Sequence, residues 1–191
     1  NKNLLWNVPN TLTMLRIVLI PVFVGIFYLP KGVIPEHWVN FSATLMFALA
    51  AITDWLDGYL ARVLDQTSAF GAFLDPVADK LMVAAALIVL VEFDRAGAII
   101  ALIIIGREIA VSALREWMAG IGESGSVAVA LLGKVKTGLQ MVAILFLLYY
   151  DPIGPLNVKL IGEVLIDTAA FLTLLSMAYY LKAAWPNMKA R

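Results

Sequence analysis

Long apolar runs alternate with short polar joints along this chain. A helix that crosses a bilayer needs roughly 20 mainly apolar residues. Six runs have that character: residues 11–29, 38–63, 75–93, 96–119, 126–149 and 158–182. The pattern predicts an all-α, polytopic membrane protein with six transmembrane helices. Pro21 falls inside the first run, where it removes a backbone donor and is expected to kink the helix. Residues 2–10, with Leu4, Leu5 and Trp6, read as a short interfacial segment at the headgroups. No small-residue cleavage site follows the first apolar run, so this start is not expected to be a signal peptide.

The basic residues divide unevenly between the two sets of joints. One side collects Lys2, Arg16, Arg62, Lys80, Arg107, Arg115, Lys134, Lys136, Lys182, Lys189 and Arg191; the other collects Lys31, Arg95 and Lys159. By the positive-inside rule both termini are expected in the cytoplasm, as for a multi-pass protein of the cytoplasmic (inner) membrane. His37 is expected in an outer loop. Trp6, Trp38, Trp55, Trp117 and Trp185 fall mostly near the ends of spans, where an aromatic belt accounts for them.

Composition supports this picture and narrows the chemistry. Of 191 residues, 62% are hydrophobic and 15% charged, against about half and about a quarter in soluble domains. The length suits one membrane domain, residues 1–191. A net charge of zero gives no field to attract nucleic acid. There is no cysteine, which removes disulfides, thiolate metal sites and thiol nucleophiles. His37 is the single histidine, so a histidine-rich metal site or a Ser-His-Asp triad is not expected. Carboxylates, Arg, Lys and hydroxyls remain.

The carboxylates are grouped. Asp54 and Asp57 share one face at the end of the second span, with Gly58 and Ala61 continuing that face. After a short joint, Gly71, Asp75 and Asp79 recur at four-residue spacing. Pro76 suits the first turn of a new helix, which Asp75 would cap. Two helices thus each offer two carboxylates at one membrane depth. Like charges in a low-dielectric setting repel, and hard divalent cations with oxygen ligands match this set. Two such ions would form a clamp for phosphoryl chemistry, and one carboxylate could serve as a general base. Capping, or pairing with Arg62 and Lys80, is the plainer alternative. It does not explain two facing acidic stripes, and ionisable residues within spans are functional by default.

The pattern Asp54-x-x-Asp57-Gly58-x-x-Ala61-Arg62, followed by Gly71-x-x-x-Asp75-x-x-x-Asp79, resembles the signature of the CDP-alcohol phosphatidyltransferase family, with every fixed position matched. The resemblance implies that Asp54, Asp57, Asp75 and Asp79 hold two Mg²⁺ or Mn²⁺ ions, and that Asp79 is the base activating an acceptor hydroxyl. It implies that Gly58, Ala61, Arg62 and Gly71 accommodate the CDP moiety of CDP-diacylglycerol, and that the protein is a homodimer among membrane lipids. The stretches from Asn7 to Arg16 and from Arg107 to Trp117 are similar to those of the bacterial phosphatidylglycerophosphate synthases, a branch of that family, which implies glycerol 3-phosphate as acceptor.

Charge agrees with an anionic acceptor. Arg107 lies within an apolar run, where an arginine that merely snorkels is costly. Glu108 adjoins it, but adjacent helix positions do not face each other, so no pairing is expected. Arg107, then Arg115, are candidate phosphate ligands. Lys134 and Lys136 fit either that role or topology and snorkelling. Inositol phosphate stays open as an acceptor. A cation transporter is a rival from another class, although no broken-helix pair or inverted repeat marks a midplane site. Glu163 and Asp167, four apart in the last span, suit pairing with another helix or a dimer seam.

Overall fold

The computed structural model describes residues 8–30, 32–65, 69–120 and 127–189. Among these residues there are six helices: α1 Val8–Ile26, α2 Glu36–Val63, α3 Ala69–Glu92, α4 Ala98–Gly120, α5 Val127–Tyr149 and α6 Val158–Lys189. Each overlaps one predicted run, and no strand forms among the described residues. Among the described residues three stretches, Val8–Ile26, Glu36–Val63 and Val158–Tyr179, are long and apolar enough to cross a membrane, and Val135–Tyr149 is a shorter apolar helix.

Several ends differ from the pattern-based reading. The expected interfacial segment mostly lies outside the described residues, and its last three residues, Val8, Pro9 and Asn10, begin α1. α2 starts at Glu36, so His37 is helical and not in a loop. Pro35 is the N-cap residue (φ −55°, ψ 142°), with an extended backbone ahead of the helix, and Glu36 in the first turn meets the positive end of the helix dipole. His37 Nδ1 lies 2.9 Å from Asp151 Oδ2, which also accepts from Asn40 Nδ2 at 3.3 Å. α3 starts at Ala69, a turn and a half earlier than expected. Pro76 therefore lies inside the helix and Asp75 is not its cap. α6 continues past Lys182 to Lys189 with Pro186 inside.

The helices fall into two compact units. The first contains α1, α2 and α3 together with Leu148–Asp151. Here α1 lies against both α2 and α3. Ala43, Phe47 and Ala50 form one buried stripe of α2, and Phe47 meets Phe23 of α1 at a ring-centroid distance of 6.4 Å. Phe23 packs edge-on against Phe27 at 5.8 Å. On the opposite face of α2, Phe41, Leu45, Leu49 and Ile52 are exposed. A one-sided apolar stripe left outside a protein core is what a lipid-facing helix requires. On α3 the buried stripe is Gly71, Ala78, Met82 and Ala86, with half-buried Asp75 among them.

The second unit contains α4, α5 and α6, and α4 lies against α6. Arg95, an outer-joint marker by pattern, is buried and donates from Nη1 to the Leu147 carbonyl at 3.2 Å. That carbonyl belongs to the last turn of α5, which has no partner within its own helix. Gly162 of α6 allows a close approach: a Cβ there would stand 2.9 Å from Leu147 Cδ2 and 3.2 Å from Phe146 Cβ. We expect Gly162→Ala to destabilise the protein by about 1–3 kcal/mol through overpacking, read as a lower melting temperature in detergent. Adding Leu147→Ala should recover part of the loss. A single variant that melts like the parent would rule out this contact.

Candidate active site

The buried stripe of α2 does not end at Ala50. It runs on through Asp54 to Asp57, because positions three and four apart share a face. Asp57 is 1% exposed, whereas the Asp54 side chain keeps 40% exposure. A carboxylate so deeply buried needs partners, and α1 supplies them. Thr13 and Arg16, both buried, lie three apart on the α1 face that also carries Phe23.

Arg16 spans the two α2 carboxylates. Its Nη1 donates to Asp54 Oδ1 at 2.7 Å, and its Nη2 donates to Asp57 Oδ2. Thr13 Oγ1 lies 2.8 Å from Asp57 Oδ2, 2.7 Å from Asp75 Oδ1 of α3 and 3.0 Å from the Pro9 carbonyl. Arg16 Nη2 also reaches Thr13 Oγ1 at 3.4 Å. A hydroxyl has one proton to donate, yet three acceptors crowd it. The structure therefore gathers Asp54, Asp57 and Asp75 around two α1 side chains. Asp79 lies one turn beyond Asp75, at the margin of the α3 stripe, and is exposed. Among the described residues no three carboxylates converge on a single point as a finished ligand shell; the guanidinium and the hydroxyl stand between them.

The small residues next to the carboxylates leave room. A Cβ built on Gly58 meets nothing within 4 Å, Ala61 is half-buried and Gly71 is buried. Arg62 is exposed and bonds from Nε to the Gly58 carbonyl of its own helix at 3.2 Å. Trp55 and Tyr59, both exposed, stack at 5.6 Å beside this end of α2.

A second polar group lies in the other unit. Arg107 Nη1 donates to Glu108 Oε1 at 2.9 Å, and Lys136 Nζ donates to the same oxygen at 3.1 Å. Arg107 Nη2 reaches Ser176 Oγ of α6 at 3.3 Å. Lys136 and Ser176 are fully buried, and Arg107 nearly so. The expectation that Arg107 and Glu108 would not pair is overturned. Their Cα–Cβ bonds diverge, but the arginine side chain is long enough to fold back, and Lys136 fixes the carboxylate between the two cations. Gln140, one turn after Lys136, is buried with no partner for its Oε1, and Arg107 Nε likewise has none. The side chains of Arg115 and Lys134 lie outside the described residues.

Thr13, Glu108 and Gln140 are absent from the pattern-based candidates, and Arg16 enters there as a topological charge and as the end of the Asn7–Arg16 stretch, with no role at the carboxylates. The signal for Arg16 was available: it sits within an apolar span, the same argument that singles out Arg107. Nothing local marks Glu108, whose role depends on Lys136 from a different helix.

The CDP-alcohol phosphatidyltransferase family model matches residues 6–181. Two curated relatives, from Shigella flexneri serotype 5b (strain 8401) and Escherichia coli (strain K12), are each 49% identical over 181 residues, covering 94% of this chain and 95% of the relative. Both are named CDP-diacylglycerol–glycerol-3-phosphate 3-phosphatidyltransferase.

Glu108→Gln would remove the carboxylate that the buried cations Arg107 and Lys136 share. Removing one partner of a buried pair costs about 3–5 kcal/mol; with the Glu108 side chain 28% exposed, the low end of that range applies. A drop in melting temperature, partly restored by adding Lys136→Met, is the expected result.

Proposed function

The chain belongs to the CDP-alcohol phosphatidyltransferase family, and we propose that it transfers the phosphatidyl group of CDP-diacylglycerol to glycerol 3-phosphate, giving phosphatidylglycerol phosphate and CMP. The observation that carries this reading is the gathering of Asp54, Asp57 and Asp75 at the ends of two helices, within a chain 49% identical to relatives of that name.

The donor set fits hard divalent ions. It is all oxygen, it comes from two helices, and three carboxylates face one guanidinium, so negative charge is in excess when they are ionised. Asp54, Asp57, Asp75 and Asp79 would hold two Mg²⁺ or Mn²⁺ ions, whose charge favours departure of CMP. Asp79, at the exposed margin of α3, takes the proton of the acceptor hydroxyl as general base. The acceptor oxygen then forms a bond to the β-phosphorus, and the bond from that phosphorus to the oxygen leaving with CMP breaks. Gly58, Ala61 and Gly71 admit the nucleotide close to the backbone, and Arg62 turns from its own helix to a phosphate. Arg107 and Lys136, with Arg115 and Lys134, receive the acceptor's phosphate. Positioning and charge supply most of the acceleration.

In this reading residues 1–191 work as one membrane domain of six spans, with both termini and the active site on the cytoplasmic side of the inner membrane, as a homodimer. Exposed apolar stripes and the three stretches fit to cross a membrane support the membrane setting.

The deciding experiment is CMP release by purified protein from CDP-diacylglycerol, with and without glycerol 3-phosphate, in Mg²⁺ and in EDTA. Release is expected only with both acceptor and metal. Release with inositol phosphate instead would keep the family and change the acceptor. Asp79→Asn should lower kcat about 10²–10⁴-fold while leaving nucleotide binding in place; near-parental turnover would exclude it as the base. Arg107→Ala should raise KM for glycerol 3-phosphate by about tenfold or more, the equivalent of one charge-assisted hydrogen bond, with CDP-diacylglycerol affinity unchanged.

A further inference from the structure

An arginine buried in an apolar helix must be matched by negative charge. Arg16 is matched by two side chains that the reading above assigns to divalent ions. Its Nη1 is held by Asp54 Oδ1 at 2.7 Å and its Nη2 by Asp57 Oδ2. These oxygens cannot serve the guanidinium and a cation fully at the same time.

The seating of Arg16 is also incomplete. Its Nε–H is buried without a partner, although buried polar groups are nearly always paired. Next to it, Thr13 Oγ1 faces Asp57 Oδ2, Asp75 Oδ1 and the Pro9 carbonyl with one proton to give. The cluster as arranged leaves the Arg16 Nε–H without an acceptor and gathers three carboxylates around one guanidinium and one hydroxyl.

We propose that Arg16 is a built-in counter-ion of the carboxylate cluster: it holds Asp54 and Asp57 together before a divalent ion binds, and gives up their oxygens to the ion. Arg16 is thus a positioning residue, acting through Asp54 and Asp57. Thr13, on the same face of α1, stands within hydrogen-bond distance of Asp57 of α2 and Asp75 of α3 and gives its one proton to either, so that carboxylates from two helices stay gathered during the exchange. The proposal rests on the reading of these aspartates as divalent-ion ligands.

The test is Mn²⁺ binding to the full-length protein in detergent, without nucleotide or lipid substrate, followed by electron paramagnetic resonance. Arg16→Gln and Arg16→Met should bind Mn²⁺ about tenfold more tightly than the parent, since a competing ligand has been removed. Both should melt lower in EDTA and recover more on adding Mn²⁺ than the parent does. Arg16→Lys keeps the charge but cannot bridge two carboxylates, and should bind with intermediate affinity; it serves if the neutral variants do not fold. A purely structural arginine gives the opposite sign: equal or weaker Mn²⁺ binding in the folded variants would overturn the proposal. Asp57→Asn separates this from failure of the underlying reading. If it binds Mn²⁺ as the parent does, or if no form binds Mn²⁺, the ligand assignment falls and this inference falls with it.

Discussion

Charge placed within a low-dielectric span has to be met by opposite charge at hydrogen-bond distance, and in this chain α1 meets it for α2. Arg16 bridges Asp54 and Asp57, and Thr13 carries the contact on to Asp75. The first unit is organised around that requirement. α1 touches both α2 and α3, and its Thr13 and Arg16 side chains lie on the same face as Phe23, which closes the apolar seam with Phe47. Aromatic packing sets the spacing of the helices along one part of α1, and ionic pairing sets it along another. The same helix face does both because its period is unbroken.

The second unit applies the same rule with the signs reversed. There a single carboxylate, Glu108, sits between two cations, Arg107 and Lys136. Each element contributes through an ordinary helical stripe, Lys136 and Gln140 on α5 and Thr173 and Ser176 on α6. An excess of cation suits an anionic substrate group, as an excess of carboxylate suits metal. Two oppositely biased polar centres in an otherwise apolar chain are the physical basis for reading it as a phosphoryl-transfer enzyme.

Most of the departures from the pattern-based reading have local causes. Pro76 is compatible with the first turn of a helix, so the pattern places a start there; the apolar stripe Gly71, Ala78 and Met82 extends the helix back to Ala69, and the proline is carried inside it. Pro35 and Glu36 start α2 early and draw His37 into the first turn, where Asp151 partners it. Arg95 reads as a loop charge, yet it is buried by its bond to a carbonyl at the end of α5. The partners of His37 and Arg95 are distant in sequence, which periodicity does not report.

The sequence by itself determined the all-helical class, the approximate extent of the six helices and the spacing that pairs Asp54 with Asp57 on α2 and Asp75 with Asp79 on α3. Apolar period and residue spacing are local properties, and Asp54, Asp57, Asp75 and Asp79 share faces by helical geometry alone. Tertiary structure decided which charges meet. Arg16 became the counter-charge of Asp54 and Asp57, Thr13 the link to Asp75, and Glu108 the shared partner of Arg107 and Lys136. Ion pairing across helices depends on how the helices pack, and a linear pattern of apolar positions shows which face is buried without showing what lies opposite it.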